Sequence, residues 1–358
     1  MRIGAETLLN FCSNDYLGLA NDARVVAALK VGADQYGVGA GASALVCGRS
    51  RAHEELEQQV ARFTGRERAL LFCSGYMANL AIGTSGLVGG KDLIIEDRLN
   101  HASLLDVARI SAARLRRYPH GDSAGAAKLI QSDCPRKLVL TDGIFSMDGD
   151  IAPVSELAHL CQQAGTLLAV DDAHGIGVLG KHGGGVLELA EADQTDVPLL
   201  VGTFGKALGT AGAFIAGPAD IIEYLCQRAR TYIYTTAPPP ALAHATLCAL
   251  RVIETEPERR QGLLELIKYF RAGARQIGLP LLASDTPIQP LIVGCPRLAV
   301  EISNGLRAAG ILVSAIRPPT VPASSSRLRI TISAGHSVAN IEFLLEQLER
   351  MLILEMKK

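Results

Sequence analysis

The chain has 358 residues, 48% of them hydrophobic, and a formal net charge of -1 at pH 7. This length predicts one large domain and one smaller domain. Basic and acidic residues are mixed along the sequence, which gives no electrostatic basis for binding nucleic acid or an anionic membrane. The N-terminal residues lack the apolar core of a signal peptide, and we expect a cytoplasmic protein.

Short apolar runs alternate with amphipathic stretches, a pattern typical of α/β proteins with helices covering a mostly parallel sheet. The predicted strands are 69–73, 93–96, 114–118, 137–142, 167–171, 199–203 and 211–216. The predicted helices between them are 51–64, 76–87, 101–111, 124–132, 154–164 and 221–229. A long helical pattern at 241–277, broken near residue 256, is followed by strands 288–293 and 328–333 and by a last helix, 338–356.

The order of elements changes after the proline run at 238–240, because the alternation gives way to the long helical pattern. We therefore predict a large domain at 38–250 and a smaller C-terminal domain at 251–358. Residues 1–37 are predicted to pack with the smaller domain.

The eight cysteines are scattered, at positions 12, 47, 73, 134, 161, 226, 248 and 295. They form no C-x-x-C pair, and most have apolar neighbours. We expect buried, reduced thiols and no metal site.

Lys206 lies in an apolar and glycine-rich stretch at 199–217, a pattern that predicts strand, turn, strand. An ammonium group is costly to bury without partners, and such a lysine tends to lose its proton. Since only a neutral amine attacks a carbonyl, these surroundings favour an imine-forming lysine. The alternative is a surface lysine in a tight turn, and the apolar flanks count against it.

Asp171 and His174 follow an apolar run at 167–170, and ligand sites of open α/β sheets lie at such strand ends. A buried aspartate can hold a protonated ring nitrogen, and a histidine three residues later can contact the same ring. Alone, this pair is more typical of a satisfied carboxylate at a strand end. Together with Lys206 at a later strand end, it indicates pyridoxal phosphate.

Three more positions extend this hypothesis. Gly75 and Tyr76 follow a strand and begin a helix, where backbone N–H groups and the helix dipole can hold a phosphate. Thr203, three residues before Lys206, can add a hydroxyl to the same phosphate. A simple helix cap is the alternative at 74–76. The glycine-rich string at 37–43 lacks the spacing and the preceding strand of a dinucleotide loop, which excludes an NAD site there.

Two polar residues follow other predicted strands. His101 lies at a strand-to-helix corner, where an imidazole can stack on an aromatic cofactor. Ser146 follows the strand 137–142 and can donate a hydrogen bond. Taken singly, each is more typical of a surface loop or an ordinary turn.

Taken together, these strings resemble the α-oxoamine synthase family of pyridoxal phosphate enzymes, from NFCSNDYLG at 10–18 to RLRIT at 327–331. The resemblance implies an aspartate-aminotransferase-like (fold type I) α/β fold, with a mostly parallel sheet in the large domain and a smaller α+β C-terminal domain. It also implies a homodimer with sites at the subunit interface. By position, Lys206 would hold the cofactor as an imine, Asp171 would pair with the pyridine nitrogen, and His101 would stack on the ring.

The same resemblance implies the other site residues. Around the cofactor they are Ser146 and His174 at the phenolic oxygen, Gly75, Tyr76 and Thr203 at the phosphate, and Thr235 or Thr236 at the phosphate of the neighbouring subunit. Around the substrates they are Asn14 and Arg329 at the amino-acid carboxylate, His101, and Thr320 beside the acyl chain.

The string AIRPPTVP at 315–322 most resembles the branch of the family that condenses L-alanine with a pimeloyl thioester in biotin biosynthesis. The thioester carrier would be coenzyme A or acyl carrier protein. One alternative is a sister enzyme that uses glycine or serine with another acyl-CoA. Others are a catalytically inactive partner subunit, which typically lacks the imine lysine, and an α/β binding protein.

Two features depart from the family pattern. Relatives usually carry a helical segment with an arginine for the acyl substrate before the first string, whereas nine residues precede Asn10 here. We expect that contact to be missing or supplied otherwise, as in an N-terminally truncated form with intact cofactor binding and weaker substrate binding. Many relatives also have arginine at the place of Ala44, which puts some acyl-substrate contacts in doubt.

Overall fold

The computed structural model describes residues 1–4 and 6–356. The strands are β1 (Arg2–Ile3), β2 (Glu6–Thr7), β3 (Leu9–Asn10), β4 (Arg68–Phe72), β5 (Leu93–Asp97), β6 (Arg114–Tyr118), β7 (Lys137–Asp142), β8 (Leu167–Asp171), β9 (Leu199–Thr203), β10 (Ala213–Gly217), β11 (Ile288–Gly294), β12 (Ile311–Leu312), β13 (Ser314–Ile316) and β14 (Ser326–Thr331).

The helices are α1 (Ala23–Tyr36), α2 (Arg51–Phe63), α3 (Gly75–Thr84), α4 (Ala102–Ser111), α5 (Ser123–Ile130), α6 (Val154–Gln163), α7 (Val186–Leu189), α8 (Ala219–Arg228), α9 (Arg230–Ile233), α10 (Pro240–Thr255), α11 (Pro257–Gln276), α12 (Pro296–Ala308) and α13 (Val338–Met356). A π-helical turn spans Ala44–Gly48. Within the described part of the chain, no helix combines the length and apolarity that crossing a membrane requires.

The elements form two compact units. The large unit consists of Leu19–Phe145 and Ile151–Thr255, and the small unit of Met1–Gly18, Ser146–Asp150 and the chain from Glu256 onward. These limits differ from the predicted ones at residues 37 and 250. Helix α1 belongs to the large unit because it packs on α10, where a Cβ added to Gly32 would lie 3.0 Å from the Cα atom of Ala241.

The large unit is built on a seven-stranded sheet with the strand order β4-β10-β9-β8-β7-β5-β6. Strand β10 is antiparallel to both its neighbours, and the other strand pairs are parallel. Strands β7, β8 and β9 are almost wholly buried apolar runs, as expected for a sheet covered on both faces. The predicted α/β fold with a mostly parallel sheet is confirmed.

The parallel arrangement aligns the strand ends that matter for function. Asp142 and Asp171 end β7 and β8 and are paired in register. Thr203 ends the next parallel strand, β9. Because the carboxyl ends of parallel strands meet at one edge of the sheet, the residues that follow these strands are brought close together.

The small unit contains an antiparallel sheet with the order β11-β14-β13 and a parallel pair formed by β3 and β12. Helices α11 and α13 contact each other, and α12 packs on the strands. Phe11 is fully buried and its ring stacks on His336, with 4.1 Å between the ring centroids. The N-terminal strand is therefore an integral part of this unit.

The cysteines differ from expectation. All eight are free thiols, but only Cys161 is buried. The prediction of burial is wrong for Cys47, Cys73 and Cys295, which are exposed because they lie in connecting turns and not on core faces.

Candidate active site

Lys206 lies in the turn between β9 and β10, with its Nζ atom 2.7 Å from Nε2 of His174. The neighbouring Phe204 and Ala207 are buried, which anchors the turn on both sides of the lysine. Gly209 has a φ of 66° and donates a backbone hydrogen bond to the carbonyl of Lys206. Such a positive φ favours glycine, and it lets the chain reverse directly after the lysine.

Asp171 is the last residue of β8 and is only 7% exposed. Its Oδ2 atom accepts a hydrogen bond of 2.6 Å from Nδ2 of Asn79, and its Oδ1 atom accepts one of 3.1 Å from the backbone of Ala173. Each carboxylate oxygen thus has an N–H donor. These bonds hold the charged group at the edge of the sheet.

His101 is the N-cap residue of α4. Its backbone N–H donates to Oδ2 of Asp142 at 2.6 Å, and its Nδ1 atom is 2.7 Å from Oγ of Ser103. Desolvation by the surrounding protein lowers the pKa of His101; the negative charge of Asp171 opposes this shift, and the positive charge of Lys206 adds to it. The neutral imidazole is therefore favoured.

Asp142 is a second buried carboxyl group beside Asp171. Burial raises the pKa of Asp142 well above its usual range, and the charge of Asp171 raises it further, while the bond from the His101 backbone opposes the shift. Protonated Asp142 is consequently favoured next to Asp171. Its contact with His101 makes it an anchor for the start of α4.

The start of α3 has backbone donors and open space beside it. Ser74 caps the helix by accepting a 3.3 Å bond from the backbone of Met77. Gly75 and Tyr76 belong to the first turn, whose N–H groups lack intrahelical acceptors. A Cβ added to Gly75 would meet no atom within 4 Å, so space is open beside this turn. Backbone donors and open space together suit an anion.

The other predicted phosphate ligands lie near the same strand ends. The hydroxyl of Thr203 donates to the carbonyl of Gly212 at 3.0 Å, so its proton is engaged within the turn. Thr235 is half-buried, and the carbonyl of the adjacent Thr236 accepts a 3.4 Å bond from Sγ of Cys73. The segment at 235–236 therefore lies beside the start of α3.

Two predicted substrate residues, Asn14 and Arg329, meet within the small unit beside Ser146, which was predicted as a cofactor residue. Arg329 on β14 is 7% exposed, and its Nε atom donates to the carbonyl of Ser146 at 2.7 Å. Its Nη1 and Nη2 atoms lie 3.3 Å and 3.2 Å from Oδ1 of Asn14. Among the described residues, the hydrogen-bond partners of Arg329 are neutral oxygens. A nearly buried guanidinium without a carboxylate is suited to binding an anion.

Two predicted residues, Thr320 and Tyr76, make hydrogen bonds that do not involve the groups described above. Thr320 is exposed, and its backbone N–H donates a hydrogen bond to the carbonyl of Arg317. The hydroxyl of Tyr76 is bonded to the carboxylate of Asp106 on α4, away from the backbone N–H that the phosphate hypothesis uses.

Three further residues belong to this candidate site and were not predicted from the sequence: Asn79, Ser103 and Asp142. Asn79 and Ser103 are buried and hydrogen-bonded to each other. A signal was present for Asn79, because a lone amide in the apolar helix at 75–84 needs a buried partner. Ser103 and Asp142 carried no such signal in the sequence.

The large-unit residues fit pyridoxal phosphate. They include an amine beside an imidazole, a fixed carboxylate, a histidine at a helix start and an open helical turn with backbone donors. These are the groups needed to hold an aldehyde, a pyridine nitrogen, an aromatic face and a phosphate. Together with the parallel sheet, they define a pyridoxal-phosphate-dependent enzyme of fold type I.

Comparisons with known proteins agree. The family model "Aminotransferase class I and II" matches residues 6–348. The 8-amino-7-oxononanoate synthase of Pseudomonas aeruginosa (strain LESB58) is 56% identical over 346 residues, which cover 97% of this chain and 86% of that protein. The chain belongs to the class I and II aminotransferase family, in the branch of the 8-amino-7-oxononanoate synthases.

Solved structures show the same relationship. The 8-amino-7-oxononanoate synthase of Francisella tularensis superposes with a TM-score of 0.86 at 31% identity, covering 97% of this chain and 98% of that one. A serine palmitoyltransferase solved with its pyridoxal phosphate internal aldimine has a TM-score of 0.92 at 30% identity, covering 96% and 87% of the two chains. The cofactor of this chain is pyridoxal phosphate.

Proposed function

We propose that this chain condenses L-alanine with a pimeloyl thioester to 8-amino-7-oxononanoate, CO2 and free thiol, an acyl transfer in biotin biosynthesis. The observation that supports it best is the 56% identity to a synthase of that name across 97% of the chain. The second candidate is a sister condensation of glycine or serine with another acyl-CoA. Its support is the likeness to serine palmitoyltransferase, at the lower identity of 30%.

Asp171 has the first role in this proposal. When bound, pyridoxal phosphate supplies an electron-withdrawing ring that stabilises negative charge on the α-carbon of the amino acid. Asp171 would keep a proton on the ring nitrogen, because a fixed carboxylate favours the N–H form of its partner. The bonds from Asn79 and Ala173 orient the carboxylate for this role.

Lys206 would move the proton at the α-carbon. Only a neutral amine can accept it, and the apolar flanks of the turn disfavour a charged ammonium. Nε2 of His174 lies 2.7 Å from the amine. Because an imidazole can be neutral or protonated, His174 can exchange a proton with Lys206 and carries no permanent charge. In this proposal the amine would take up the α-proton and return it after CO2 has left.

Arg329 would bind the carboxylate of the amino acid. Its planar fork can bond both carboxylate oxygens, and its present partners in the small unit are the neutral oxygens of Asn14 and Ser146. An incoming carboxylate would supply the negative charge that this buried cation lacks. Asn14 would then hold the guanidinium in the orientation required for the substrate.

Turnover assays test the proposal. We expect alanine with pimeloyl-CoA or pimeloyl-acyl carrier protein to give 8-amino-7-oxononanoate, and glycine and serine to react more slowly. The comparison of the two thioesters also identifies the carrier. Glycine or serine outperforming alanine would favour the sister reaction, and the variant Lys206→Ala serves as the blank.

We further propose a homodimer with shared active sites. Large apolar side chains of the large unit are strongly exposed in the single chain: Val38 at 85%, Val46 at 78% and Tyr234 at 71%. Such exposure is typical of surfaces that bind a partner. Thr235, adjacent to Tyr234, would then lie at the interface and could reach the phosphate of the other subunit. Sedimentation equilibrium tests this, and a fully active monomer would contradict it.

We also propose a cytoplasmic location. Its support is the set of eight free thiols, three of them exposed, which are typical of a reducing compartment. Cell fractionation followed by immunodetection tests it, and recovery with a secreted or membrane fraction would contradict it.

A further inference from the structure

A chain of hydrogen bonds, two of them between buried side chains, connects Asp171 to the ring of the exposed residue His101. From Oδ2 of Asp171, the first bond reaches Nδ2 of Asn79 at 2.6 Å. The same Nδ2 atom lies 2.8 Å from Oγ of Ser103, and that Oγ atom lies 2.7 Å from Nδ1 of His101. Asn79 and Ser103 are 1% and 0% exposed, so water does not compete for the two bonds that Nδ2 of Asn79 makes.

The chemistry of each group sets the direction of the first two bonds. An ionised carboxylate can only accept, so the amide nitrogen of Asn79 must face Asp171. A flipped amide would bring two oxygens together at that distance. With Nδ2 fixed, its second N–H points to Ser103, whose Oγ atom is therefore the acceptor. Within the described chain, Oδ1 of Asn79 has no hydrogen-bond partner that would favour the other orientation.

The direction of the last bond follows. Because Ser103 accepts from Asn79, its single O–H is available for Nδ1 of His101. The backbone N–H of Ser103 also lies 3.3 Å from this nitrogen. Nδ1 of His101 therefore meets two donors. A proton on Nδ1 would point towards both donors and remove both hydrogen bonds.

We infer that Asn79 and Ser103 are positioning residues that transmit the ionisation of Asp171 to His101 and hold its imidazole in the neutral, Nε2-protonated tautomer. The titratable groups around this ring are Asp171 at the end of β8, Asp142 at the end of β7 and Lys206 after β9. A neutral His101 places no positive charge near Lys206, whose amine must be neutral to accept a proton. This catalytic consequence rests on the proposed function, whereas the tautomer is a property of the protein chain alone.

Nitrogen NMR of the ¹⁵N-histidine-labelled protein tests the inference, with and without cofactor. The two ring nitrogens of His101, assigned with a His101→Gln variant, should show an unprotonated Nδ1 and a protonated Nε2 at pH 7. In Ser103→Ala we expect the ratio of the Nε2-protonated to the Nδ1-protonated form to fall about tenfold, which corresponds to about 1.4 kcal/mol. The pKa of His101 should rise in this variant, because the Ser103 hydroxyl, whose bond to Nδ1 stabilises the neutral ring, is then absent.

Two variants separate positioning from general damage. Ser103→Thr keeps the hydroxyl and should retain the wild-type tautomer. Ser85→Ala removes a buried serine hydroxyl of α3's C-cap that is bonded to a backbone carbonyl, and it should leave the nitrogen shifts of His101 unchanged. A protonated Nδ1 in the wild-type protein would overturn the inference without any variant. So would an unchanged tautomer and pKa in Ser103→Ala.

Discussion

At the scale of single residues, each group of the site has its properties set by immediate neighbours. Lys206 is held between buried apolar residues and contacts an imidazole, whereas Asp171 has a donor at each oxygen. One group is an amine beside an imidazole that can share its proton, and the other is a carboxylate held by fixed donors. The two side chains are therefore suited to opposite tasks, moving a proton and holding one in place.

Replacing Lys206 with alanine should abolish covalent retention of the cofactor and lower turnover by at least about 10²–10⁴-fold, the range typical of a lost acid–base group. We would measure the visible absorbance of the bound cofactor after dialysis and the rate with alanine and pimeloyl-CoA. Turnover within threefold of the wild type would assign the chemistry to another amine. Lys137→Ala is a suitable control, because Nζ of that lysine donates to the backbone carbonyls of Ile130 and Ser132 at the amino-terminal end of β7.

Asp171→Asn should retain part of the cofactor but lose about 10²–10³-fold in turnover, because a neutral amide no longer favours a protonated ring nitrogen. The change should also remove the constraint that orients the amide of Asn79. Binding is measured by cofactor titration and turnover by the condensation assay. If binding and turnover fell by the same small factor, Asp171 would have only a packing role.

At the scale of elements, the turn between β9 and β10 leaves no room for a larger residue than glycine at position 209. A Cβ there would lie 2.3 Å from the backbone nitrogen of Ala20, and the φ of 66° adds strain. We expect Gly209→Ala to lower the free energy of unfolding of the large unit by about 1–3 kcal/mol. Urea unfolding followed by fluorescence measures this loss.

Gly89→Ala is the matched control for that turn, since no atom lies within 4 Å of the added Cβ and its φ is not positive. It should change the free energy of unfolding by less than about 1 kcal/mol. Equal effects of the two substitutions would show that the close approach at Gly209 has no energetic weight.

Strand β5 contains a buried acid that makes stability depend on pH. Glu96 is 0% exposed, and neither carboxyl oxygen has a hydrogen-bond partner in the described part of the chain. Burial raises the pKa of Glu96 to about 8, against the opposing charge of Arg117. The folded state thus keeps a proton that the unfolded state releases near its ordinary pKa of 4.5.

Stability should consequently fall as pH rises from about 5 towards 8, by up to about 1.4 kcal/mol per pH unit from this group. Glu96→Gln should flatten that dependence and raise the urea midpoint at pH 8. Glu55→Gln, at an exposed helix position, should leave it unchanged. A pH slope equal to that of the wild type in Glu96→Gln would contradict the assignment.

At the scale of the whole molecule, the sequence predicted best those features that depend on residues close together in the chain. Strands β7, β8 and β9 are continuous apolar runs ended by polar residues, so both their extent and the polar strand ends were predictable. Lys206 and Asp171 were proposed as site residues for the same reason. The short strands β1 to β3, β12 and β13 were missed because two or three residues carry no periodicity, and their pairing depends on distant partners.

The site was harder to predict where it depends on tertiary contacts. Ser103 is an ordinary first-turn helix residue until folding brings Asn79 against it from another helix. Helix α12, at 296–308, was not predicted, although its sequence is amphipathic. The unit limits were displaced because α1 is joined to the large unit by close packing on α10, which no local pattern reveals.

The pairing of β3 with β12 cannot form until the ribosome has synthesised most of the chain. Sγ of Cys12 bonds the carbonyl of Leu312, 300 residues further along. At about 5–20 residues per second, a ribosome needs roughly 15–60 s to deliver that partner. During this interval the large unit can already close, while the segment around Phe11 has no strand to pair with and keeps its apolar side chains in water. We therefore expect cotranslational chaperones to bind this N-terminal segment for longer than they bind other parts of the polypeptide.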